Sequence, residues 1–333
     1  MTLPSTVLDV GIAGYGCSIP ERSVDNNYFT RFFETSDEWI IQRTGIEARR
    51  WLADGEKPSD LFTAAAKRCL DKSQVAASEV DLIILATVSG DHLGVPATAC
   101  IVQENLGAKN AAAFDIQAAC TGFLYALSVG RQFIATGTYK NVLVIGGEGL
   151  SRIIDVYDRG TSIIFGDGAG AVLLQPHATC QQGLIEDITL GADGAGAQFI
   201  TRPRGGAMEQ ITPEILSEGT HQLRMQGREV YRFAVARMTE LIAWAMEGQD
   251  VEELSIVVPH QVNKRILETA TKKLNLPTEK VFINIDKYGN TSAGSVPVAL
   301  CECLEAGKIE KGKLVVMAAF GAGLTWGGAR LRW

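Results

Sequence analysis

Three side chains in this 333-residue sequence could together act on an acyl group: the thiol of Cys120, the imidazole of His260 and the carboxamide of Asn290. Cys120 lies between an apolar run at 111–116, which predicts a buried strand, and an apolar run at about 121–135, which predicts a buried helix. At a helix start, unpaired backbone N–H groups and the helix dipole favour the nucleophilic thiolate. Because free cysteine is also a common small hydrophobe of protein cores, this segment alone leaves catalysis and packing both open.

His260 and Asn290 each follow a predicted strand. His260 comes directly after the strand that ends at 259, and Asn290 comes after the strand at 281–284. Ligands and catalytic groups gather at the ends of parallel strands. A single histidine there is equally compatible with a structural role, and asparagine beside glycine most often belongs to a turn. Neither residue decides a function by itself.

An internal repeat relates the positions of these residues in the two parts of the chain. The apolar segments 83–85, 126–127 and 142–144 recur at 256–258, 299–300 and 315–317, each at the same offset of 173 residues. Such a repeat predicts two halves with one order of strands and helices. Cys120 and Asn290 then lie on equivalent strand-to-helix loops, which pseudo-symmetry brings together where the halves join. A thiol, an imidazole and an amide at that join indicate acyl chemistry on a thioester.

Strands and helices alternate through both halves, which predicts an α/β fold with layered helices and mixed, mostly parallel sheets. We expect one half at residues 1–176, carrying the thiol, and the other at residues 177–333, carrying the imidazole and the amide. Residues 177–183 are expected to form a linker. The glycine-rich run 166–170 lacks the spacing of a dinucleotide-binding loop and precedes a strand, so it predicts close packing and not phosphate binding.

The composition excludes several classes of function. Apolar residues make up 46% of the chain and charged residues 21%, as in globular proteins, and the net charge of −7 argues against a nucleic-acid partner. Seven cysteines without CxxC or zinc-ligand spacing predict reduced thiols in the cytoplasm and no metal site. The sequence has no apolar run of membrane-spanning length and no leader-like start, so we expect a soluble protein without a membrane partner.

Three segments resemble the active-site motifs of the 3-oxoacyl-[acyl-carrier-protein] synthase III family, in the thiolase superfamily. They are residues 119–123 (Ala-Cys-Thr-Gly-Phe), 259–263 (Pro-His-Gln-Val-Asn) and 289–293 (Gly-Asn-Thr-Ser-Ala), and the resemblance extends from 35–39 to 320–327. It implies a duplicated thiolase-like fold and a homodimer. It also implies an acyltransferase that condenses an acyl-CoA with malonyl-acyl-carrier-protein, with loss of carbon dioxide, to initiate fatty acid biosynthesis. The coenzyme A thioester is a substrate, and no further cofactor is implied.

The resemblance also implies a role for each residue of the site. Cys120 would carry the acyl group, while His260 and Asn290 would hydrogen-bond the malonyl thioester carbonyl. The backbone N–H groups of Cys120 and Ala322 would hold the oxyanion.

Phe320 and Val95 would border the acyl pocket by the same comparison. Two departures from the family pattern concern this region: Val95 replaces a position that is often aromatic, and residues 321–323 read Gly-Ala-Gly where a glycine triplet is common. The smaller side chain at Val95 predicts room for a longer or branched acyl chain.

Two surfaces are implied as well. Positions for coenzyme A correspond to Trp39, Arg43, Arg159 and Asn263. A basic docking face for the acidic carrier protein corresponds to Arg265, Lys272 and Lys273. A solvated helix face is the alternative interpretation of that charge run.

Other classes of protein share parts of this sequence pattern. A thiolase would need a second cysteine in the C-terminal glycine-rich loop, and residues 321–323 contain none. A 3-hydroxy-3-methylglutaryl-CoA synthase, a plant-type polyketide synthase or a secondary-metabolism synthase that condenses CoA substrates stays open. A non-catalytic partner subunit would be expected to lack the nucleophile, so Cys120 argues against it.

Overall fold

Two mixed β-sheets form the framework of the computed structural model, which describes residues 7–333. Residues 1–6 lie outside the described residues. The prediction that the sequence lacks a leader-like start rests partly on them. The strands, in chain order, are β1 (Val10–Ser18), β2 (Ser23–Asp25), β3 (Ala48–Arg50), β4 (Leu82–Ala86), β5 (Ala112–Ile116), β6 (Val142–Glu148), β7 (Gly168–Pro176), β8 (Leu184–Ala192), β9 (Ile200–Thr201), β10 (Arg224–Met225), β11 (Leu254–Pro259), β12 (Leu314–Gly321) and β13 (Thr325–Arg332). The helices are α1 (Asp37–Thr44), α2 (Pro58–Ser73), α3 (Thr98–Leu106), α4 (Gly122–Ala135), α5 (His177–Cys180), α6 (Pro213–Glu218), α7 (Gly227–Ala245), α8 (Lys264–Lys273), α9 (Ile285–Tyr288) and α10 (Ser295–Glu305).

The strand order reflects the internal repeat. The five-stranded sheet has the order β1-β7-β6-β4-β5, and the four-stranded sheet has the order β11-β12-β13-β8. Strand β4 pairs in parallel with β5 and β6, and β11 pairs in parallel with β12, whereas the other pairs in these sheets are antiparallel. The duplicated α/β fold is confirmed, although antiparallel pairs are more numerous than predicted. Only Ala322–Leu324 separates β12 from β13, and so short a connection joins antiparallel neighbours.

The two apolar helices α4 and α10 pack in one core with strands from both sheets. A short 3₁₀ turn precedes each helix, Ala119–Thr121 before α4 and Ser292–Gly294 before α10, and these turns keep the offset of the sequence repeat. Gly170 of β7 approaches the backbone of α10 so closely that a Cβ atom there would lie 2.7 Å from the carbonyl carbon of Pro297. Close packing is therefore the role of this glycine. The division of the chain at residue 176 stays a prediction.

Local signals set several boundaries of the helices. Ser36 caps α1 by accepting the N–H of Trp39 at 3.1 Å, and Gly45 ends the helix with a φ of 78°. Residues 177–180 form the single-turn helix α5 where the sequence predicts a linker, since the turn is closed by the bond from Gln181 N to His177 O. None of the helices between residues 7 and 333 combines the length and apolar character needed to cross a membrane.

Candidate active site

Three loops with unusual backbone geometry meet at one pocket. Ala119, Ser292 and Leu324 adopt φ angles of 47°, 48° and 44°, in the left-handed region that non-glycine residues rarely enter. Each such residue costs about 1–3 kcal/mol and persists only where surrounding structure imposes it, most often at functional sites. Ala119 directly precedes Cys120, and Ser292 follows Asn290 by two positions. The strain therefore lies beside the residues that the sequence singles out.

The pocket between these loops is lined by Cys120, His260 and Asn290 together. The structure thus brings the three predicted residues together from a helix start, a strand end and a loop. Most of the remaining lining is apolar and includes Phe320. An apolar pocket with a few convergent polar groups is typical of a small-molecule site.

His260 is completely buried, and neither ring nitrogen has a hydrogen-bond partner among the described residues. Its backbone N–H donates to Ala318 O at 2.8 Å, which continues the pairing of β11 with β12. Burial lowers the pKa of His260 to about 3, so the imidazole is neutral at physiological pH. Buried polar atoms without partners are costly in a folded protein. The imidazole is therefore suited to hydrogen-bond a ligand in the pocket.

Asn290 is held from both sides of its backbone. Its N–H donates to Ile164 O at 2.9 Å, and its carbonyl accepts the N–H of Gly166 at 3.0 Å. The side-chain Oδ1 accepts the N–H of Ser292 at 2.8 Å, while Nδ2 has no protein partner in residues 7–333. Asn290 therefore offers a fixed amide donor beside the neutral imidazole.

The electrostatics of Cys120 differ from the prediction made from its helix position. Burial raises the pKa of the thiol to about 12, a hydrogen bond with Ser292 lowers it, and the nearby charge of Glu148 raises it further. The sequence predicts a thiolate at this helix start, but desolvation shifts the pKa in the opposite direction. A preformed thiolate is therefore scarce at neutral pH, and forming it calls for a proton acceptor.

The loop at 321–323 packs directly on the nucleophile turn. A Cβ atom on Gly321 would lie 2.8 Å from Cys120 N, so only glycine permits this approach. The hydroxyls of Thr121 and Thr325 lie 2.7 Å apart, and Thr325 also donates to Ala322 O at 3.1 Å. Gly321 lines the pocket and Ala322 does not, so the oxyanion role of the Ala322 N–H stays a prediction.

Val95 is not among the residues that line this pocket in the single chain, and its place at the acyl pocket stays a prediction. Its side chain is 84% exposed in the loop before α3, next to the 78% exposed Leu93. Apolar side chains from other segments, Val88, Leu150 and Leu223 among them, line the pocket instead. The motif comparison predicts the role of Val95 but not the path of its loop, which lies on the surface of the single chain.

Comparison with known proteins identifies the family. Residues 114–194 match the family model described as 3-Oxoacyl-[acyl-carrier-protein (ACP)] synthase III, and residues 245–333 match its C-terminal counterpart. A Beta-ketoacyl-[acyl-carrier-protein] synthase III of Desulfitobacterium hafniense is 46% identical over 98% of both chains. One of Clostridioides difficile is 44% identical over 97% of this chain and 98% of its own. The chain belongs to the 3-oxoacyl-[acyl-carrier-protein] synthase III family.

Solved structures of the family superpose closely on this chain. The 3-oxoacyl-[acyl-carrier-protein] synthase III of Aquifex aeolicus has a TM-score of 0.88 at 42% identity and covers 97% of this chain and 100% of its own. The priming β-ketosynthase of a polyketide biosynthetic pathway has a TM-score of 0.89 at 32% identity and covers 100% and 98%. The resemblance inferred from the motifs and the thiolase-like fold class are confirmed.

Three of the residues implied for coenzyme A share one surface. The guanidinium carbons of Arg43 and Arg159 lie 5.6 and 5.0 Å from the centroid of the Trp39 ring. Trp39 and Arg159 also line a surface cleft with Glu34. Asn263 is engaged within the protein, since its Oδ1 caps α8 and its Nδ2 donates to Arg43 O at 3.0 Å. Its position suits holding Arg43 in place.

The basic residues implied for carrier-protein docking lie on α8. Arg265, Lys272 and Lys273 are all exposed. Glu268, also exposed, lies on the same helix between them and reduces the net positive charge of this face. The arrangement is compatible with docking and with a solvated helix face.

Sequence reasoning missed Glu148 and Ser292. Glu148 is completely buried at the end of β6, and its carboxylate accepts a hydrogen bond from Ser292, which lines the pocket together with Cys120. Two signals could have found them: Glu148 is a carboxylate at the end of an apolar strand, and Ser292 is the repeat counterpart of Ala119.

Proposed function

We propose that this protein is an acyltransferase that condenses an acyl-CoA with malonyl-acyl-carrier-protein, with loss of carbon dioxide, and so initiates fatty acid biosynthesis. The observation that carries the proposal is the buried His260, whose two unpartnered ring nitrogens lie in one pocket with Cys120 and Asn290. The near full-length relatives that bear the synthase name support it.

The first half-reaction transfers the acyl group to Cys120. The thiol sulfur attacks the carbonyl carbon of the acyl-CoA, the new thioester forms, and the bond to the coenzyme A sulfur breaks. The proton lost by the Cys120 thiol ends on that sulfur, so coenzyme A leaves as a thiol. The N–H groups of Cys120 and Ala322 stabilise the oxyanion, and the apolar lining holds the acyl chain. A covalent intermediate of this kind divides one difficult step into two easier ones.

The second half-reaction uses the other half of the chain. Neutral His260 and the Nδ2 of Asn290 donate to the thioester carbonyl of malonyl-acyl-carrier-protein. Carbon dioxide leaves, the electrons of the broken carbon–carbon bond form an enolate, and its carbon attacks the acyl-Cys120 carbonyl. The bond from that carbonyl to the Cys120 sulfur then breaks, which releases the 3-oxoacyl product and leaves a thiolate that takes a proton from water. The pKa of about 3 keeps His260 neutral, so it donates a hydrogen bond without acting as a charged acid. Apart from that water, every group that this reaction uses is part of the chain or of its two substrates.

Coenzyme A is proposed to bind on the Trp39 surface. The indole ring would stack on the adenine, and Arg43 and Arg159 would pair with the phosphates. The acidic carrier protein would dock on Arg265, Lys272 and Lys273 of α8.

A homodimer is the proposed assembly. Strand β5 is an edge strand whose residues Ala-Ala-Phe-Asp-Ile are partly exposed, and an open apolar edge pairs readily with another strand. The backbone N–H groups of Thr98 and Ala99 donate to the Asp115 carboxylate of β5, each at 2.7 Å, which anchors the Val95 loop next to this edge. A second copy would cover both the edge and the exposed loop. Sedimentation of a monomer at micromolar concentration would contradict this assembly.

The proposed compartment is the cytoplasm. All seven cysteines are free, including the exposed Cys100, which fits a reducing environment.

A second candidate function is the priming condensation of a secondary-metabolite pathway. The structural match to a polyketide priming β-ketosynthase supports this second candidate function, although the synthase III relatives are more similar in sequence. A condensation assay with acetyl-, isobutyryl- and octanoyl-CoA against malonyl-carrier proteins of both pathways separates the two.

The acyl intermediate gives the direct test of the proposed function. Incubation with acetyl-CoA should add one acetyl mass to the peptide that contains Cys120, and Cys120→Ala should abolish it. Cys100→Ala serves as the matched control, because Cys100 is an exposed thiol on α3. An unlabelled Cys120 with acetylation elsewhere would refute the assignment.

A further inference from the structure

Glu148 is a buried carboxylate that the proposed reaction does not use. It is the last residue of β6 and is 0% exposed. Its Oε2 accepts hydrogen bonds from Thr87 Oγ1 and Val88 N, each at 3.0 Å, and from Ser89 Oγ. Its Oε1 accepts one from Ser292 Oγ at 3.2 Å. One oxygen is therefore fixed by the loop after β4, and the other is bonded to the turn that borders the pocket.

The side chain of Asn290 is oriented by a backbone group of the same turn. The N–H of Ser292 donates to Asn290 Oδ1 at 2.8 Å. A carboxamide has one acceptor end and one donor end, so this bond leaves Nδ2 as the end available to a ligand in the pocket. The reversed orientation would place two donors against each other and turn a carbonyl oxygen toward the enolate. The position of the Ser292 N–H therefore decides whether Asn290 donates to the enolate or repels it.

Close packing aligns this turn with Glu148. A Cβ atom on Gly146 of β6 would lie 2.3 Å from Ala293 O, so the turn lies directly against the strand. Ser292 itself has a φ of 48°, a conformation that persists only where surrounding contacts hold it. The hydrogen bond from its hydroxyl to Glu148 is such a contact, and it joins the turn to the strand end.

We propose that Glu148 and Ser292 are positioning residues for the condensation step. The carboxylate holds the Ser292 hydroxyl, and the N–H of the residue so held fixes the Asn290 carboxamide with Nδ2 toward the malonyl thioester carbonyl. Neither residue transfers a proton in this role. The proposal rests on the proposed function, in which Asn290 acts in the second half-reaction and acyl loading of Cys120 does not use it.

Ser292→Ala removes the link and keeps the backbone. Ala119, the repeat counterpart of Ser292, adopts the same φ region, so alanine is tolerated in such a turn. The kcat of condensation should fall about 10- to 100-fold, because a misplacement of about 1 Å can cost about 10²-fold. Acyl loading of Cys120, measured by intact mass after a timed quench, should stay within about threefold. An unchanged condensation rate would overturn the proposal, as would equal losses in both steps, which a general loosening of the fold predicts.

Two variants of Glu148 separate the link from the charge. Glu148→Gln keeps the reach: its Oε1 can accept the three bonds of the loop after β4 while its Nε2 donates to Ser292 Oγ. Condensation should stay within about threefold of wild type. Glu148→Asp keeps the charge but is one methylene shorter, so it should lose the link and match Ser292→Ala. The reverse order, or equal activity in the two variants, would overturn the proposal.

The effect of Ser292 should pass through Asn290. In an Asn290→Ala background, Ser292→Ala should lower condensation no further, because no carboxamide remains to be positioned. A further loss as large as in the wild-type background would contradict the proposal. Ser151→Ala is the matched control, since it removes a hydroxyl bond of the same kind to Asp167, a buried carboxylate outside the pocket. Both of its half-reaction rates should stay within about twofold, and a loss confined to condensation would count against the proposal.

A crystal structure of Ser292→Ala tests the orientation without measuring activity. The Asn290 carboxamide should leave its wild-type place or occupy several orientations, and a single wild-type orientation would overturn the proposal. Thermal unfolding checks the fold of each variant. If wild-type Cys120 takes no acetyl group, or if the loaded enzyme forms no 3-oxoacyl product, the proposed function fails, while the crystallographic comparison still decides what orients Asn290.

Discussion

Replacing His260 with alanine separates the two half-reactions of the proposed site. The imidazole makes no hydrogen bond to the thiol, so acyl loading of Cys120 should stay within about threefold of the wild-type rate. Condensation loses one of its two carbonyl donors, and removing a donor of this kind costs about 2.7–4 kcal/mol, or about 10²–10³ in rate.

The same change should have a small effect on stability. Truncating a buried side chain of this size costs about 2–5 kcal/mol through lost contacts and a cavity. The wild-type protein, however, already buries two unpartnered nitrogens, each costing about 1–3 kcal/mol, and the variant is relieved of both. The two contributions are of similar size, so unfolding in urea should show nearly the wild-type midpoint.

Loading is measured by the intact mass of the protein after a timed quench with acetyl-CoA, and condensation by the release of carbon dioxide from malonyl-acyl-carrier-protein. His177→Ala, on α5, is the control for a histidine change outside the pocket. Equal losses in loading and condensation would refute the assignment of His260 to the second step.

Three further predictions address pH, packing and substrate binding. The pKa of His260 is lowered from 6.5 to about 3, so the unfolded chain binds a proton that the folded chain excludes, and stability should fall below pH 6.5 by about 1.4 kcal/mol per pH unit from this group. Urea unfolding at pH 7.5 and 5.0 should show a drop that is about 2 kcal/mol smaller in His260→Ala, and equal drops would contradict the shift. Gly321→Ala should reduce acyl loading more than tenfold, because its Cβ meets the backbone of Cys120 and neither can yield; full activity would show that the loop moves freely. Trp39→Ala should raise the KM for acyl-CoA about 3- to 30-fold with little change in kcat, whereas Lys272→Glu should raise only the KM for malonyl-acyl-carrier-protein. If each variant raises the KM for both substrates equally, the two proposed surfaces are not separate.

Much of this molecule is determined by local patterns in the sequence. The cap at Ser36 and the left-handed Gly45 bound α1 through contacts within a few residues. The offset of the apolar segments defines the duplicated order of strands and helices, and through it the neighbourhood of Cys120 and Asn290. Periodicity and capping act over short distances along the chain, so the sequence expresses them directly.

Tertiary structure alone decided the electrostatics of the site. The pKa of Cys120 rises because distant segments exclude water from it, which outweighs the local effect of a helix start. The buried carboxylate of Glu148 accepts hydrogen bonds from Ser292, 144 residues further along the chain, and from Thr87, 61 residues before it, so its surroundings are built from distant segments. Val95 is a further example, since the motif does not specify that its loop carries the side chain to the surface of the single chain. Desolvation depends on every atom packed around a group, whereas a motif specifies only the neighbours along the chain.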